Sequence, residues 1–271
     1  MLEFHLKILI IFCEMNSLIS IIPLSYNSTR KEIERFFNQI NYFEDNLDII
    51  VVLERDDSDS YDAWLSISHE YKKFRLIIER LEEKGSKGRC LNKAISICNS
   101  KYFIRCDMDD DIYPYRYFET KKIIENNAGN VIDMIYSDLI DLKSNKVIKY
   151  PNPRLLPIVS IWRNPIPAPT VCIRKDFLKN NNIFYPHYNR CEDFFLVLKF
   201  IDNNANITKT SKPLVGYSNN ILLKRDYKNW LLNSLIRLKR GRYDLIGFLS
   251  LIFGIIIFIY GIIRFIITNK K

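Results

Sequence analysis

Residues 18–53, LISIIPLSYNSTRKEIERFFNQINYFEDNLDIIVVL, contain two short apolar runs separated by an amphipathic segment. The runs LISII (18–22) and LDIIVVL (47–53) are continuous and rich in β-branched residues, which is typical of parallel strands covered on both faces. The segment between them begins with a Ser/Thr cap and places apolar residues at helical spacing. These residues are Ile33, Phe36, Phe37 and Ile40. The stretch therefore predicts a βαβ unit.

The same alternation continues beyond this unit. FRLIIER (74–80) predicts a third strand, GRCLNKAISICN (88–99) a helix, and KYFIRC (101–106) a fourth strand. Strands that alternate with helices indicate an α/β fold with a mainly parallel, Rossmann-like sheet flanked by helices.

The regular alternation of strands and helices ends after residue 115. DMIYSDLIDL (133–142) and KVIKY (146–150) predict a pair of strands with Asn145 in the turn. The next segment, 151–171, contains six prolines, which exclude a central strand or a long helix and predict a structured crossing loop. CEDFFLVLKFID (191–202) predicts a helix whose two acidic residues lie at its N-terminus, where the helix dipole favours them.

Composition narrows the class of protein. A chain of 271 residues with 48% hydrophobic and 13% aromatic residues buries a large core, so disorder is excluded and one domain with an appendage is expected. The formal charge of +9 favours an anionic partner.

The six cysteines include no C-x-x-C pair, and no histidines stand near Cys90, Cys98 and Cys106 to complete a metal site, so buried free thiols in a reducing cytoplasm are expected.

The two ends of the chain differ from its middle. LKILIIFC (6–13) has the length of a signal-peptide core, but Glu3 precedes it and no small-residue cleavage site follows, so export is not expected. Residues 1–17 are interpreted as an N-terminal extension, with Met15 as an alternative start.

At the other end, residues 245–263 run nineteen positions without a charge. They predict a hydrophobic, membrane-associating helix over about 245–267, with spanning and lying in the interface both left open. The basic, amphipathic segment 224–242 before it favours anionic lipid headgroups over nucleic acid, which is not expected as a partner. Positive charge on this flank predicts that the main domain lies on the cytoplasmic side.

The fourth predicted strand leads into a carboxylate cluster, in KYFIRCDMDDDIYP (101–114). The acids are Asp107, Asp109, Asp110 and Asp111. A calcium loop of the EF-hand type is excluded, because Ile112 stands where glycine is required and Phe118 where glutamate is required. A solvated acidic turn is the plain alternative. Because ligands of open α/β sheets bind at the carboxyl ends of the strands, the favoured interpretation is an Asp-x-Asp clamp for Mg²⁺ or Mn²⁺ holding a diphosphate.

Five blocks, in this order along the chain, resemble the family 2 glycosyltransferases of GT-A fold that serve bacterial polysaccharide and lipopolysaccharide synthesis. The blocks are SIIPLSYN (20–27), GRCLNKAI (88–95), RCDMDDDIYPYR (105–116), RNPIPAPTVCIRKDFL (163–178) and NRCEDFFLVLKF (189–200). Three departures are visible: one extra residue between Pro23 and Tyr26, Ala94 where glycine is common, and no glycine in LERDDSDS (53–60). The resemblance implies a catalytic domain over 18–223, followed by the basic segment and hydrophobic helix of 224–271.

The resemblance also implies a nucleotide-sugar site. Pro23 and Tyr26 would line the base pocket, and one acid at the end of the second strand would read the base. The residues implied for nucleotide-sugar binding are Pro23, Tyr26, Asn27, Glu54, Asp56, Asp57, Asn92 and Asp107. Asp107 would face the ribose, and Asp109, with Asp107 and Asp110, would bind the metal.

For the reaction itself, the resemblance implies Asp193 as general base with Glu192 beside it, and Arg163 and Asn164 as acceptor contacts. An inverting transferase needs one carboxylate to take the proton of the attacking hydroxyl, and a metal offsets the charge of the departing diphosphate.

The resulting hypothesis is an inverting, metal-dependent glycosyltransferase at the cytoplasmic face of a bacterial inner membrane. It would move a hexose or N-acetylhexosamine from a nucleoside diphosphate sugar, UDP-sugar favoured, to a lipid-linked glycan in capsule or lipopolysaccharide synthesis. Two alternatives are a non-catalytic GT-A-like scaffold of a polysaccharide assembly complex and a nucleotidyltransferase. The latter requires a glycine-rich phosphate loop, and PLSYNSTRKE (23–32) contains no glycine.

Overall fold

The structure is a computed structural model that describes residues 17–187, 191–217, 235–237 and 245–268. The predicted N-terminal extension, except for its last residue, and most of the basic segment 224–242 lie outside the described residues. The domain boundaries proposed from the sequence stay predictions.

Strands and helices alternate between residues 19 and 107, as predicted. The strands are β1 (Ile19–Leu24), β2 (Asp48–Leu53), β3 (Arg75–Arg80), β4 (Tyr102–Asp107), β5 (Asp111–Ile112), β6 (Met134–Tyr136), β7 (Leu139–Asp141), β8 (Lys146–Ile148), β9 (Cys172–Arg174), β10 (Ile207–Lys209) and β11 (Val215–Tyr217). The helices are α1 (Arg30–Ile40), α2 (Ser58–Ile67), α3 (Lys87–Ile97), α4 (Arg116–Asn126), α5 (Leu156–Val159), α6 (Lys175–Asn180), α7 (Glu192–Asp202) and a C-terminal helix (Leu245–Thr268).

Seven strands form the central sheet in the order β10-β6-β9-β4-β1-β2-β3. β1 pairs in parallel with β2 and β4, β2 with β3, and β6 with β10, whereas β9 is antiparallel to both β4 and β6. The prediction of a mainly parallel sheet flanked by helices is confirmed. Because β1, β2 and β4 run in the same direction, the loops after them meet at one edge.

The predicted βαβ unit is present with its predicted buried face. Thr29 caps α1 in a reciprocal capping box with Glu32, and the four apolar residues predicted for the helix are all buried. Helix α2, by contrast, was not predicted, because Trp64 and Ile67 alone give its buried face an apolar signal. Trp64 packs edge-on against Phe37 of α1, with ring centroids 5.7 Å apart.

A second, smaller sheet has the order β5-β11-β7-β8. The segment 133–142, predicted as one strand, is divided: β6 joins the central sheet and β7 joins the smaller one. β7 and β8 form the predicted antiparallel pair, with Asn145 in the turn at a positive φ of 52°. Since β5 follows β4 directly, the acidic loop connects the two sheets.

The proline-rich segment is a structured crossing, as predicted. It contains a 3-10 turn (Pro153–Leu155), the short helix α5 and a second 3-10 turn (Ala168–Thr170). The predicted buried free thiols are also found at Cys90, Cys98, Cys106 and Cys172.

The C-terminal helix is present where the sequence predicts it, and Phe248, Ile256 and Ile259 are among its exposed apolar side chains. Over the residues that the structure describes, no helix is both long enough and apolar enough to cross a membrane. Membrane association of this helix stays a prediction.

Candidate active site

Two adjoining cavities open at the carboxyl edge of the central sheet. The first has a volume of about 720 Å³ and lies among the β1–α1 loop, the end of β2, the start of α3 and the acidic loop. The residues important for its chemistry are Tyr26, Glu54, Lys84, Lys87, Asp107 and Asp109. Its size lies within the range of small-molecule sites.

The second cavity, of about 460 Å³, lies between the proline-rich segment and the start of α7. Asn164, Glu192 and Asp193 line it. Lys87, Asp107 and Tyr217 line both cavities, so the two form one continuous cleft with Asp107 at their junction.

Three carboxylates of the acidic loop converge at the first cavity. One oxygen each of Asp107, Asp109 and Asp110 lies within 4.8 Å of the others. Neither oxygen of Asp110, which is buried, accepts a hydrogen bond from any residue in the described part of the chain. Burial, together with the charges of Asp107 and Asp109, raises the pKa of Asp110 to about 8. A divalent cation would fit this cluster of carboxylate oxygens.

The acidic loop is tied to α1, and this explains the fourth acid of the cluster. Gln39 Nε2 donates to Asp111 Oδ1 at 3.0 Å, and Gln39 Oε1 accepts from the Ile112 amide at 3.2 Å. Arg35 donates to the Met108 carbonyl oxygen. Asp111, for which the sequence gives no role, therefore anchors the loop rather than joining the three converging carboxylates.

Arg105 connects the two halves of the cleft. Its side chain is 2% exposed, and its Nε lies 3.2 Å from Asp107 Oδ1 while its Nη2 lies 3.2 Å from Glu192 Oε1. Burial alone would raise the pKa of Asp107, but the Arg105 guanidinium, with Lys87 and Arg116, outweighs it and lowers that pKa. Glu192 and Asp193 both line the second cavity, and of the two Glu192 is held in the ion pair with Arg105.

Asp193 has the environment of a general base. Burial, then the charge of Glu192, raises the pKa of Asp193 to about 6 against the opposing charge of Arg105. Asn164 Nδ2 donates to Asp193 Oδ2 at 2.8 Å and so orients the carboxylate. The chain enters α7 through Cys191 in the left-handed region, at φ 61°. A base with a pKa near the working pH suits proton abstraction from a hydroxyl.

The residues predicted around the base pocket have different surroundings. Tyr26 lines the first cavity and is 67% exposed, whereas Pro23 is buried within β1 opposite Cys106. Asn27 takes a positive φ of 48°, and its amide donates to Asp57 Oδ2 at 3.0 Å. Of Pro23, Tyr26 and Asn27, Tyr26 alone lines the first cavity.

Of the three acids predicted to follow β2, Glu54 alone lines the first cavity. Burial, then the charges of Asp57 and Asp56, raises the pKa of Glu54. Asp57 is buried and caps α2 by accepting from the Ser60 amide at 3.3 Å, while Asp56 faces solvent and pairs with Arg55 at 2.9 Å.

Asn92 holds a loop rather than lining the cleft. Its amide group donates to the Tyr185 carbonyl and accepts from the Tyr185 amide, both at 2.9 Å. On the same helix a Cβ at Gly88 would lie 2.1 Å from the Pro186 carbonyl oxygen, so glycine is required for this close approach. Of the two predicted acceptor residues, Asn164 lines the second cavity, whereas Arg163 is exposed and outside its lining.

Several residues of the cleft were not predicted from the sequence. They are Lys84, Lys87, Arg105, Tyr150 and Tyr217. Lys84 and Lys87 directly precede the predicted helix 88–99. Two lysines at the N-terminus of a helix are a signal from which phosphate binding could have been predicted. Tyr150 and Tyr217 carry no local signal, because they enter the cleft through the smaller sheet and its connection.

The sheet, the converging carboxylates and the two-part cleft agree with the GT-A arrangement expected from the sequence. Residues 20–204 match the family model described as Glycosyl transferase family 2, which covers more than half of the chain. The chain belongs to this family.

Solved structures share this fold. TarS of S. aureus, residues 1–349 in complex with UDP-GlcNAc, superposes with a TM-score of 0.63 and 19% identity, covering 87% of this chain and 70% of that one. A mannosyltransferase from Pyrobaculum calidifontis in complex with GDP-Man and Mn²⁺ gives a TM-score of 0.61 and 12% identity, covering 89% and 73%. At these identities the similarity shows the fold alone.

A curated relative matches over a shorter stretch. An uncharacterized glycosyltransferase of Methanocaldococcus jannaschii is 27% identical over 121 residues, which are 44% of this chain and 41% of the relative. The match spans about two fifths of the relative's length.

Proposed function

We propose that this glycosyltransferase is inverting and metal-assisted, and that it moves a hexose or N-acetylhexosamine from a nucleoside diphosphate sugar to a lipid-linked glycan. The observation that carries the proposal is the continuous cleft, in which Asp107 borders both the side with the three converging carboxylates and the side with Asp193. A donor and an acceptor bound on the two sides would meet at this junction.

On the donor side, Tyr26 and Glu54 line the part of the cavity nearest β1 and β2, and the base is assigned to this part. Lys84 and Lys87 supply positive charge along the cavity for the phosphates. Asp109, with Asp107 and Asp110, would hold Mg²⁺ or Mn²⁺, which supplies positive charge opposite the departing diphosphate. The bound UDP-GlcNAc of TarS and the GDP-Man and Mn²⁺ of the Pyrobaculum enzyme support a nucleotide-sugar donor and a metal, with a UDP-sugar favoured.

On the acceptor side, Asp193 takes the proton of the acceptor hydroxyl as that oxygen attacks the anomeric carbon. The new carbon–oxygen bond forms as the bond to the diphosphate breaks on the opposite face, so the anomeric configuration inverts. Asn164 donates to one oxygen of Asp193 and so orients the carboxylate that takes the proton.

The acceptor and the cellular localisation are proposed from the charge of the chain and its exposed apolar surface. The chain carries a net charge of +9, and the C-terminal helix exposes apolar side chains after a basic segment. Both features favour an anionic lipid surface, with the helix lying along the interface. We therefore place the enzyme at the cytoplasmic face of a bacterial inner membrane, in capsule or lipopolysaccharide synthesis.

One observation favours a second candidate, a non-catalytic scaffold of a polysaccharide assembly complex. Asp56 and Asp57, two of the three acids available to read a base, lie outside the cavity lining. A scaffold of this kind would show no metal-dependent binding of UDP.

The test is transfer of a radiolabelled sugar to membrane acceptors by Asp109→Ala and Asp193→Ala, with Asp56→Ala as the matched control at a solvent-facing acid. We expect both site variants to lose at least about a hundredfold in rate and the control to keep wild-type turnover. Titration calorimetry with UDP and Mn²⁺ separates the two candidates. Full turnover by both site variants, or UDP binding that does not depend on the metal, would contradict the mechanism.

A further inference from the structure

The helical segment 152–163 presents an apolar stripe to solvent. Backbone hydrogen bonds run through it from Asn152 to Trp162, including Leu155 N to Asn152 O at 2.9 Å and Trp162 N to Val159 O at 3.2 Å. Leu155, Ile158 and Trp162 are 49%, 49% and 46% exposed. Their spacing, three and then four residues, places them on one face of the segment.

This stripe differs from the scattered exposed apolar residues that every soluble protein carries. Arg154 and Arg163 are exposed at its two ends. Between Asp141 and Asp176 the sequence contains seven lysine and arginine residues and no acid. An apolar stripe with an exposed arginine at each end, in a stretch of sequence that contains no acid, has the chemistry of an interfacial lipid contact, in which apolar side chains enter the headgroup region and cations bind phosphates.

The stripe has a fixed position relative to the candidate base. Leu156 and Ser160, on the opposite side of the segment, are buried against the core. Asn164 follows Arg163 directly and donates to Asp193 Oδ2 at 2.8 Å, and the next residues, Pro165 and Ile166, are buried. A surface that binds the stripe is therefore held within a few residues of the acceptor side of the cleft.

We propose that Leu155, Ile158 and Trp162 insert into the headgroup region of an anionic bilayer, while Arg154 and Arg163 bind lipid phosphates. This contact, which rests on the proposed function, brings the reducing-end lipid of the acceptor glycan to the side of the cleft lined by Asp193. This contact uses other residues than those of the C-terminal helix. It orients the catalytic domain, whereas the C-terminal helix by itself provides attachment.

The test uses the full chain with vesicles of phosphatidylcholine and phosphatidylglycerol carrying brominated acyl chains. Trp64 is fully buried, so in a Trp230→Phe background the quenchable tryptophan is Trp162. We expect Trp162 fluorescence to shift to shorter wavelength and to be quenched by anionic vesicles, and much less by pure phosphatidylcholine. Leu155→Ser combined with Ile158→Ser should weaken vesicle partition about tenfold, because about two exposed apolar side chains no longer enter the interface.

Leu65→Ser, at a leucine 43% exposed on α2, is the matched control and should leave partition unchanged. Unquenched Trp162 in protein that still sediments with vesicles would overturn the proposal, as would equal losses in the control. Calorimetry with UDP and Mn²⁺ on the same samples keeps the two proposals apart. Intact UDP binding with unquenched Trp162 rejects only the membrane contact, and absent UDP binding with quenched Trp162 rejects only the proposed function.

Discussion

Arg105 Nη2 lies 3.2 Å from Glu192 Oε1, and this contact joins the central strand β4 to the first turn of α7. The same guanidinium donates to Asp107 at 3.2 Å, so one buried cation fixes the acid at the junction of the cleft and the helix that carries Asp193. A single side chain therefore links the two halves of the cleft.

Replacing Arg105 tests this coupling. Arg105→Leu leaves Asp107 and Glu192 without their buried cation and should lower the free energy of unfolding by about 3–5 kcal/mol. Arg105→Lys keeps the charge, but lysine has no planar fork with which to contact both carboxylates. We therefore expect this variant to retain most of the stability and to lose kcat by about tenfold or more. Urea denaturation and steady-state kinetics measure the two effects. Wild-type stability and turnover in the leucine variant would refute the coupling.

Asp110→Asn separates metal binding from folding. The amide keeps the shape of the buried side chain and removes its ionisable carboxyl, whose pKa is raised to about 8 by burial and by the charges of Asp107 and Asp109. We expect Mn²⁺ affinity to fall at least about tenfold while the metal-free protein remains at least as stable as wild type, since the folded state no longer buries a group that ionises readily in the unfolded chain. Mn²⁺ titration and urea denaturation in EDTA are the measurements, with Asp56→Asn as the control. A large loss of metal-free stability would show that Asp110 has a structural partner instead.

The activity should depend on pH through Asp193. Because burial raises the pKa of Asp193 to about 6, and because a base must be ionised, kcat/KM is expected to fall as pH decreases through 6 and to level off above pH 7. Rates of the wild type between pH 5 and pH 8 give this profile. A flat profile across pH 6 would exclude Asp193, with this pKa, as the base.

Asn164→Ala tests how the base is oriented. The Asn164 amide donates to the carboxylate of Asp193, and a hydrogen bond to the charged form lowers a carboxyl pKa. Its loss should move the pH profile to higher pH, so the variant should be more impaired at pH 6 than at pH 8. Arg163→Ala is the control, because Arg163 is next in sequence but outside the cavity lining. In an assay without membranes it should keep the wild-type midpoint of the pH profile. An equal loss at both pH values would indicate general damage to the site.

Gly88→Ala tests the close packing at the start of α3. A Cβ at this position would lie 2.1 Å from the Pro186 carbonyl oxygen, a backbone atom that cannot move aside cheaply. We expect the variant to lose about 1–3 kcal/mol of stability. At Gly129 nothing lies within 4 Å of an added Cβ, so Gly129→Ala should change stability by less than about 0.5 kcal/mol. Equal denaturation midpoints for the two variants would contradict this account.

Local pattern was sufficient for much of the fold. The continuous apolar runs predicted β1 to β4, and the spacing of Ile33, Phe36, Phe37 and Ile40 predicted the buried face of α1. Helix α2 was missed because its amphipathic signal is weak, and the two-sheet division of 133–142 was missed because strands of the same local pattern can join either sheet.

For the site, the sequence by itself determined the residue types that chemistry requires and their order: the acids 107–110 after a strand, and Asp193 at the start of a helix. Only the tertiary structure decided which acids lie in the cleft and which serve the fold. It places Asp57 in a helix cap and Asp111 against Gln39, while Glu192 lines the cleft in an ion pair with Arg105. The physical reason is that ionisation and availability of a carboxylate depend on burial and on partners such as Arg105 and Glu192, 87 positions apart. Local periodicity carries no information about such distant pairs, which are set by strand order and by the packing of α7 on the sheet.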